Sequence, residues 1–219
     1  MPAVVLSLRT GRIAPLGPEG VPSGFVKHAV EGPVAVGPLG LEGDQQADLS
    51  VHGGPDKAVY AYAAAHYDAW RAEQPQHAAL LTAGAMGENL TVAGIDENGI
   101  CVGDVHAIGT ALLQVCQPRQ PCFKMGLRFG DSLMPKAFAR SGRAGWYYRV
   151  IQSGVLRAGD AVTLRERPHP DFPFARLIAI VYHGGATPDE LQRMTAMPGL
   201  AQQWRQAARK LLDRSAGSA

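Results

Sequence analysis

Short runs of alternating apolar and polar residues, separated by turn-forming residues, dominate the first three quarters of the chain. Such runs predict β-strands, and glycine (26) and proline (16) are scattered between them as turn formers. The predicted extended segments are residues 4–8, 32–37, 57–62, 86–92, 103–109, 112–117, 146–152 and 161–165, the last two as a hairpin or as neighbouring strands. The pattern favours a barrel or sandwich over repeated βαβ units.

Helical periodicity is confined to one short segment, residues 63–73, and to the end of the chain, after the proline-rich stretch 168–173. Apolar residues recur at helical spacing from Phe174 to Val181, and Gly184 ends that segment. Thr187 and Glu190 form a capping box that begins a second helix. The apolar face of a third helix is predicted to comprise Leu200, Trp204, Ala208 and Leu211. We therefore predict a mainly β domain over residues 1–166 and a three-helix domain over residues 167–219.

Composition and charge exclude several classes of partner. The chain has 219 residues, of which 46% are hydrophobic and 18% are charged, as expected of a soluble globular protein. Its net charge of +2 is not concentrated in any block of like charge, which argues against a nucleic acid polymer as a partner. The longest apolar stretch, residues 175–182, is interrupted by Arg176 and is too short to span a membrane.

Cysteine usage and the N-terminus predict a cytoplasmic protein. No secretory signal is evident at the N-terminus, and three cysteines fit reduced thiols better than a disulfide framework. No Cys-x-x-Cys pair is present, so neither a structural zinc site nor an iron–sulfur centre is expected. No glycine-rich fingerprint for a flavin or nicotinamide occurs either, so electrons for any redox reaction would have to come from elsewhere.

Cys122 is the residue with the most distinctive chemical setting. It follows Pro118 and Pro121, which restrict the backbone, and it lies between Arg119 and Lys124, whose charges favour the thiolate. A thiolate held in a rigid position is suited to bind a metal or to attack an electrophile. The alternative is a half-buried loop cysteine without a role.

A second candidate segment contains His52, Gly53, Gly54, Asp56 and Lys57. The two glycines allow a bound group to approach the backbone closely, and the three side chains supply a titratable base, an acceptor and a cation. A phosphate or the edge of a pterin is a suitable ligand. On spacing alone, a β-turn closed by the aspartate, with the lysine at the surface, is the simpler interpretation.

Gly87, Glu88 and Asn89 form a third candidate segment. Its backbone N–H groups stand beside a carboxylate and an amide, which together could contact a polar ligand. Either side chain could instead serve only the turn, since asparagine often closes turns by bonding to the backbone.

Taken in order, these three segments resemble the MOSC domain, the fold of the C-terminal domain of molybdenum cofactor sulfurases. The motifs are residues 43–59, residues 87–90 and residues 117–124, and the helical end resembles the three-helix appendage of the bacterial YiiM-like subgroup. The resemblance runs over nearly the whole chain, and it implies a β-barrel-like domain followed by a small three-helix domain. Phe123 and Met125 depart from residues common in the family, which affects the expected shape of the substrate pocket.

The resemblance also implies a function. Cys122 is the expected protein ligand to molybdenum in a bound molybdenum cofactor (Mo-molybdopterin), and the expected activity is reduction of N-hydroxylated small molecules, such as 6-hydroxylaminopurine, to amines. An external, flavin-containing reductase is the expected electron donor. Lys57, Arg119 and Lys124 are candidates to hold the pterin phosphate, with Asp56, Gly53, Gly54, Gly87, Glu88 and Asn89 as further cofactor-binding residues and His52 as a catalytic proton donor or relay.

Two other functions use the same residues. A non-catalytic carrier of the molybdenum cofactor would need the same thiol and the same pterin contacts but would show no turnover. A metal-free thiol enzyme would use Cys122 as a nucleophile or as a persulfide donor.

Overall fold

The structure is a computed structural model that describes residues 2–50 and 52–216. Within this part of the chain there are thirteen strands. They are β1 (Val4–Thr10), β2 (Ala14–Leu16), β3 (Val21–Ser23), β4 (His28–Ala29), β5 (Val34–Gly37), β6 (Gly40–Leu41), β7 (Val59–Ala63), β8 (Leu90–Ala93), β9 (Val105–Ile108), β10 (Ala111–Pro118), β11 (Trp146–Gln152), β12 (Gly154–Leu156) and β13 (Val162–Glu166). The strands predicted from alternation are present, with boundaries shifted by a few residues.

Eight strands form one large sheet in the order β13-β9-β10-β11-β7-β8-β1-β4. Val5 donates its N–H to Asp160 at 2.9 Å, and Val162 donates to Ala3 at 2.9 Å, so backbone bonds connect strand β1 with the chain that leads into β13. These bonds bring opposite ends of the sheet together, although the strand ladder remains an open sheet. The predicted fold class, mainly β with a barrel-like domain and C-terminal helices, is confirmed.

Six α-helices complete the described residues, together with two short 3-10 helices at Pro55–Lys57 and Pro75–His77. The α-helices are α1 (His66–Glu73), α2 (Phe123–Phe129), α3 (Met134–Ser141), α4 (Phe174–His183), α5 (Pro188–Thr195) and α6 (Gln202–Ala216). The sequence pattern missed α2 and α3, which are short. Each of them ends at a glycine in the left-handed conformation, Gly130 (φ 65°) and Gly142 (φ 69°).

Two details of the predicted arrangement were wrong. Strands β11 and β13 are not neighbours, because β9 and β10 lie between them in the sheet. The third helix begins at Gln202, so Leu200 precedes it, and Leu211 is 47% exposed rather than part of the core. Both errors have the same origin, since periodicity within a segment does not show which neighbour the segment packs against.

The C-terminal helices pack on the sheet through one continuous core. Phe174 and Leu177 of α4 and Leu200 before α6 are fully buried and belong to the same apolar cluster as Val115 and Tyr148 of the sheet. The predicted capping box of α5 is present, with both Thr187 and Glu190 making their reciprocal bonds. The boundary near residue 166 stays a prediction.

Candidate cofactor-binding site

One cleft collects most of the residues that the sequence singled out. It lies beside the end of β10 and the start of α2 and has an empty volume of about 580 Å³, counted to its open mouth. Predicted residues that line it are His52, Gly53, Lys57, Gly87, Asn89, Arg119, Cys122 and Lys124. These residues come from three segments far apart in sequence, and the fold brings them to one surface.

Cys122 is held between a strand and a helix. Strand β10 ends at Pro118, and after three intervening residues the chain enters α2 with Cys122 as the N-cap, in an extended conformation (φ −123°, ψ 170°). Its carbonyl accepts the N–H of Met125 at 3.0 Å, which begins the first helical turn. The thiol is half-buried and lines the cleft. The strand and the helix therefore position this thiol, in addition to the two prolines that the sequence predicted.

Arg119 is a buried cation in the floor of the cleft, 7% exposed. Its guanidinium carbon lies 5.0 Å from the centre of the Phe25 ring and 4.7 Å from that of Tyr60, and its Nε is buried without a hydrogen-bond partner among the described residues. In the same part of the chain no carboxylate forms an ion pair with it. A buried charge without a counter-ion is costly unless a ligand supplies one, so this site is suited to an anion.

Lys124 and Lys27 add positive charge to the same cleft. Lys124 is almost fully buried, and its Nζ donates to the carbonyl of Pro22 at 2.9 Å. Lys27 forms a buried ion pair with Asp44, whose carboxylate also accepts Asn89 Nδ2 at 3.0 Å. The only carboxylate among the described residues that line the cleft is thus already bonded to the protein, and the remaining charge is positive.

Positive charge also affects the titratable groups at the mouth. The pKa of His52 is lowered, first by burial and then by Arg119, Lys124 and Lys57, so its ring is neutral near pH 7. The pKa of Lys57 is lowered for the same reasons, burial first and Arg119 second. An anionic ligand would relieve this mutual repulsion between the cations.

Three predicted residues do not reach the cleft. Asp56 pairs with Arg149 at 2.6 Å instead, and Gly54 precedes the 3-10 helix that begins at Pro55. Glu88 is fully buried, and its Oε1 accepts Tyr67 Oη at 2.6 Å. None of the three lines this cleft, Gly54 and Asp56 line a neighbouring cavity instead, and the assignment of all three as cofactor-binding residues stays a prediction.

Several lining residues were not found from the sequence, namely Phe25, Lys27, Tyr60 and Tyr147, and Asp44 was only part of a motif without an assigned role. Gly24 beside them is required by the fold, because an added Cβ there would lie 1.9 Å from the carbonyl oxygen of Gln45. A glycine required by such close backbone approach fixes the path of the wall. The aromatic residues carried no sign in the sequence, since tyrosines in strands are ordinary core residues.

The other two cysteines are buried away from the cleft surface. Cys116 is fully buried in β10, burial raises its pKa strongly, and its Sγ donates to the Asp56 carbonyl at 3.1 Å. In the described residues no group of three His, Cys, Asp or Glu side chains is placed to hold a metal ion. The same part of the chain has no helix long and apolar enough to cross a membrane.

Two family models match the chain. The family model described as MOSC domain matches residues 48–163, and the one described as YiiM-like, 3-alpha helix domain matches residues 173–214. The chain is 38% identical over 201 residues to Protein YiiM of Escherichia coli, covering 92% of this chain and 89% of that protein. It is also 38% identical over 200 residues to a protein named Reductase from Gibberella moniliformis, covering 90% of this chain but only 35% of that protein.

A solved structure shows the same fold. The crystal structure of YiiM from Geobacillus stearothermophilus superposes with a TM-score of 0.81 at 34% identity, covering 96% of this chain and 100% of that one. The similarity therefore extends over both the sheet and the C-terminal helices.

Proposed function

This chain belongs to the MOSC family, in its YiiM-like branch, and from that premise we propose that it is a molybdenum cofactor-dependent reductase of N-hydroxylated compounds such as 6-hydroxylaminopurine. The observation that carries the proposal is the presence of one accessible thiol, Cys122, and one buried guanidinium without a counter-ion, Arg119, in the same cleft. The similarity to a protein named Reductase supports an oxidoreductase rather than a carrier.

The residues of the cleft fit a molybdenum cofactor on chemical grounds. A thiolate is a soft ligand suited to molybdenum, so Cys122 is the proposed protein ligand. Arg119, Lys124 and Lys57 would hold the phosphate of the pterin, and the unpartnered Nε of Arg119 is directed to no other acceptor among the described residues. Gly87 provides a wall without a side chain, because its φ of 77° favours glycine and an added Cβ would lie 3.2 Å from the carbonyl oxygen of Phe25.

When bound, the cofactor supplies the two-electron chemistry that cleaves an N–O bond. The overall reaction consumes the N-hydroxylated substrate, two electrons and two protons, and releases the amine and water. His52 lines the cavity next to Cys122 and is neutral near pH 7, so it can pass a proton through its ring nitrogens but does not store one as an imidazolium.

Electrons are proposed to come from a separate flavin-containing reductase. We place the protein in the cytoplasm, in line with its three unpaired cysteines. Neither statement depends on the geometry of the cleft. Reconstitution with candidate reductases tests the electron donor, and cell fractionation tests the compartment.

One experiment tests the function against both alternatives. Molybdenum is determined in the freshly purified protein, and 6-hydroxylaminopurine is offered with a reduced dye as electron donor. Bound molybdenum with turnover is the expected result. Bound molybdenum without turnover would indicate a carrier, and a metal-free but active protein would indicate a thiol enzyme.

A further inference from the structure

A second cavity, with an empty volume of about 940 Å³ counted to its open mouth, lies between the sheet domain and the beginning of α6. Its walls include Asp56, Lys57 and Arg149 on the sheet side and Gln203 and Arg205 on the helix side. Residues of both the MOSC region and the three-helix region therefore form this cavity. None of the expected cofactor-binding residues lies in α6, so the α6 residues in its wall have no role assigned so far.

A third cavity, with an empty volume of about 720 Å³, lies between this space and the Cys122 thiol. Cys122, His52 and Tyr147 line one side of it, and Gln203 lines the other. Lys57 borders all three cavities. A substrate whose reacting group lies beside Cys122 can therefore extend past Gln203 towards the start of α6.

The far end of this path is positively charged. Three cations, Lys57, Arg149 and Arg205, line the second cavity together with a single carboxylate, Asp56. That carboxylate is already engaged, since it accepts Arg149 Nε at 2.8 Å and the N–H of Gln202 at 3.0 Å.

Arg205, unlike Arg149, is not bonded to this carboxylate. Its Nε is buried and has no hydrogen-bond partner among the described residues. Arg205 lies in the first turn of α6, which begins at Gln202 in the wall of the cavity.

We propose that this second cavity binds the phosphate group of the substrate, so that N-hydroxylated nucleoside monophosphates are preferred over free N-hydroxylated bases. The base would lie beside Cys122, the ribose would pass Gln203, and the phosphate would be held by Arg205. A planar guanidinium with an unused N–H is suited to a phosphate oxygen. The inference rests on the proposed function, because it takes the molybdenum that Cys122 would bind as the point where the base reacts.

Binding of product-like ligands tests the subsite independently of turnover. Isothermal titration calorimetry on the cofactor-loaded protein would compare adenosine monophosphate, adenosine and inorganic phosphate. We expect adenosine monophosphate to bind at least about tenfold more tightly than adenosine, because the phosphate adds a charge-assisted contact. Arg205→Ala should abolish this difference, whereas Arg209→Ala, an exposed arginine one helical turn away, should retain it.

Three results would overturn the inference: equal affinity for adenosine monophosphate and adenosine, an unchanged difference in Arg205→Ala, or inorganic phosphate binding as tightly as the nucleotide. Steady-state kinetics with the N-hydroxylated base and with its ribonucleoside monophosphate then give the ratio of the two kcat/KM values. That ratio should favour the monophosphate and fall at least about tenfold in Arg205→Ala. Turnover of neither compound would refute the proposed function, while the calorimetry would still decide the subsite.

Discussion

Replacing Arg119 by methionine should separate the stability of the protein from its capacity to bind the cofactor. The substitution keeps an unbranched apolar side chain between Phe25 and Tyr60 but removes the charge. Two cation–π contacts, at 5.0 and 4.7 Å, would be lost, each worth about 1–2 kcal/mol in a buried setting. In return the protein no longer buries a charge without a counter-ion, which carries a penalty of several kcal/mol.

We therefore expect the free energy of unfolding of cofactor-free Arg119→Met to be no more than about 1 kcal/mol below that of the wild type, because removing the unpaired buried charge offsets the lost cation–π contacts. Cofactor binding should weaken instead. Loss of a charge-assisted hydrogen bond to phosphate amounts to about 1.5–3 kcal/mol, or roughly 10- to 100-fold in Kd.

Chemical denaturation of the cofactor-free variant and molybdenum analysis of the purified one measure the two effects separately. Arg149→Met is the matched control, because that arginine is paired with Asp56 at 2.6 Å, so its loss should lower the free energy of unfolding by about 1–3 kcal/mol. A drop of about 2 kcal/mol or more in Arg119→Met would refute the reasoning, because it would equal the loss of the two cation–π contacts with no relief from the buried charge.

The remaining predictions concern the thiols, the cleft lysine and acid stability. Cys122→Ser should abolish reduction of the N-hydroxylated base. Cys116→Ser should remain active, and its free energy of unfolding should fall by only about 1 kcal/mol, because the new hydroxyl can bond to the acceptor that lies 3.1 Å from the present sulfur. An active Cys122→Ser protein, or a folded but inactive Cys116→Ser protein, would contradict the assignment. Lys57→Ala should lower the molybdenum content of the purified protein, and full occupancy would argue against a phosphate contact. The pKa of Glu190 is lowered from 4.5 to about 2, chiefly by its hydrogen bond from Arg176. Its stabilising contribution is therefore complete above pH 4.5 and is lost as the pH falls towards 2. The Tm of Glu190→Gln should decline less than that of the wild type over this range, and an identical decline would contradict the prediction.

Much of the architecture was determined by local sequence. Alternation predicted eight of the strands, because side chains of a half-buried strand point to opposite faces in turn. These are β1, β5, β7, β8, β9, β10, β11 and β13, whereas the short strands β2, β3, β4, β6 and β12 were not predicted. The helix α5 was predicted in detail, since Thr187, Pro188 and Glu190 form a cap that depends only on residues within one turn. The motifs around Cys122 and His52 identified the family, because their spacing along the chain is itself the pattern that relatives share.

Only the tertiary structure decided which residues meet. Strand order cannot be deduced from alternation, so β11 and β13 were expected to be neighbours although two strands separate them. Asp56 and Glu88 have the chemistry of site residues, yet each is bonded to protein groups outside the cleft, at Arg149 and Tyr67. The absence of a counter-ion at Arg119 is likewise a property of the folded surroundings, since charge, burial and partners are set by segments distant in sequence.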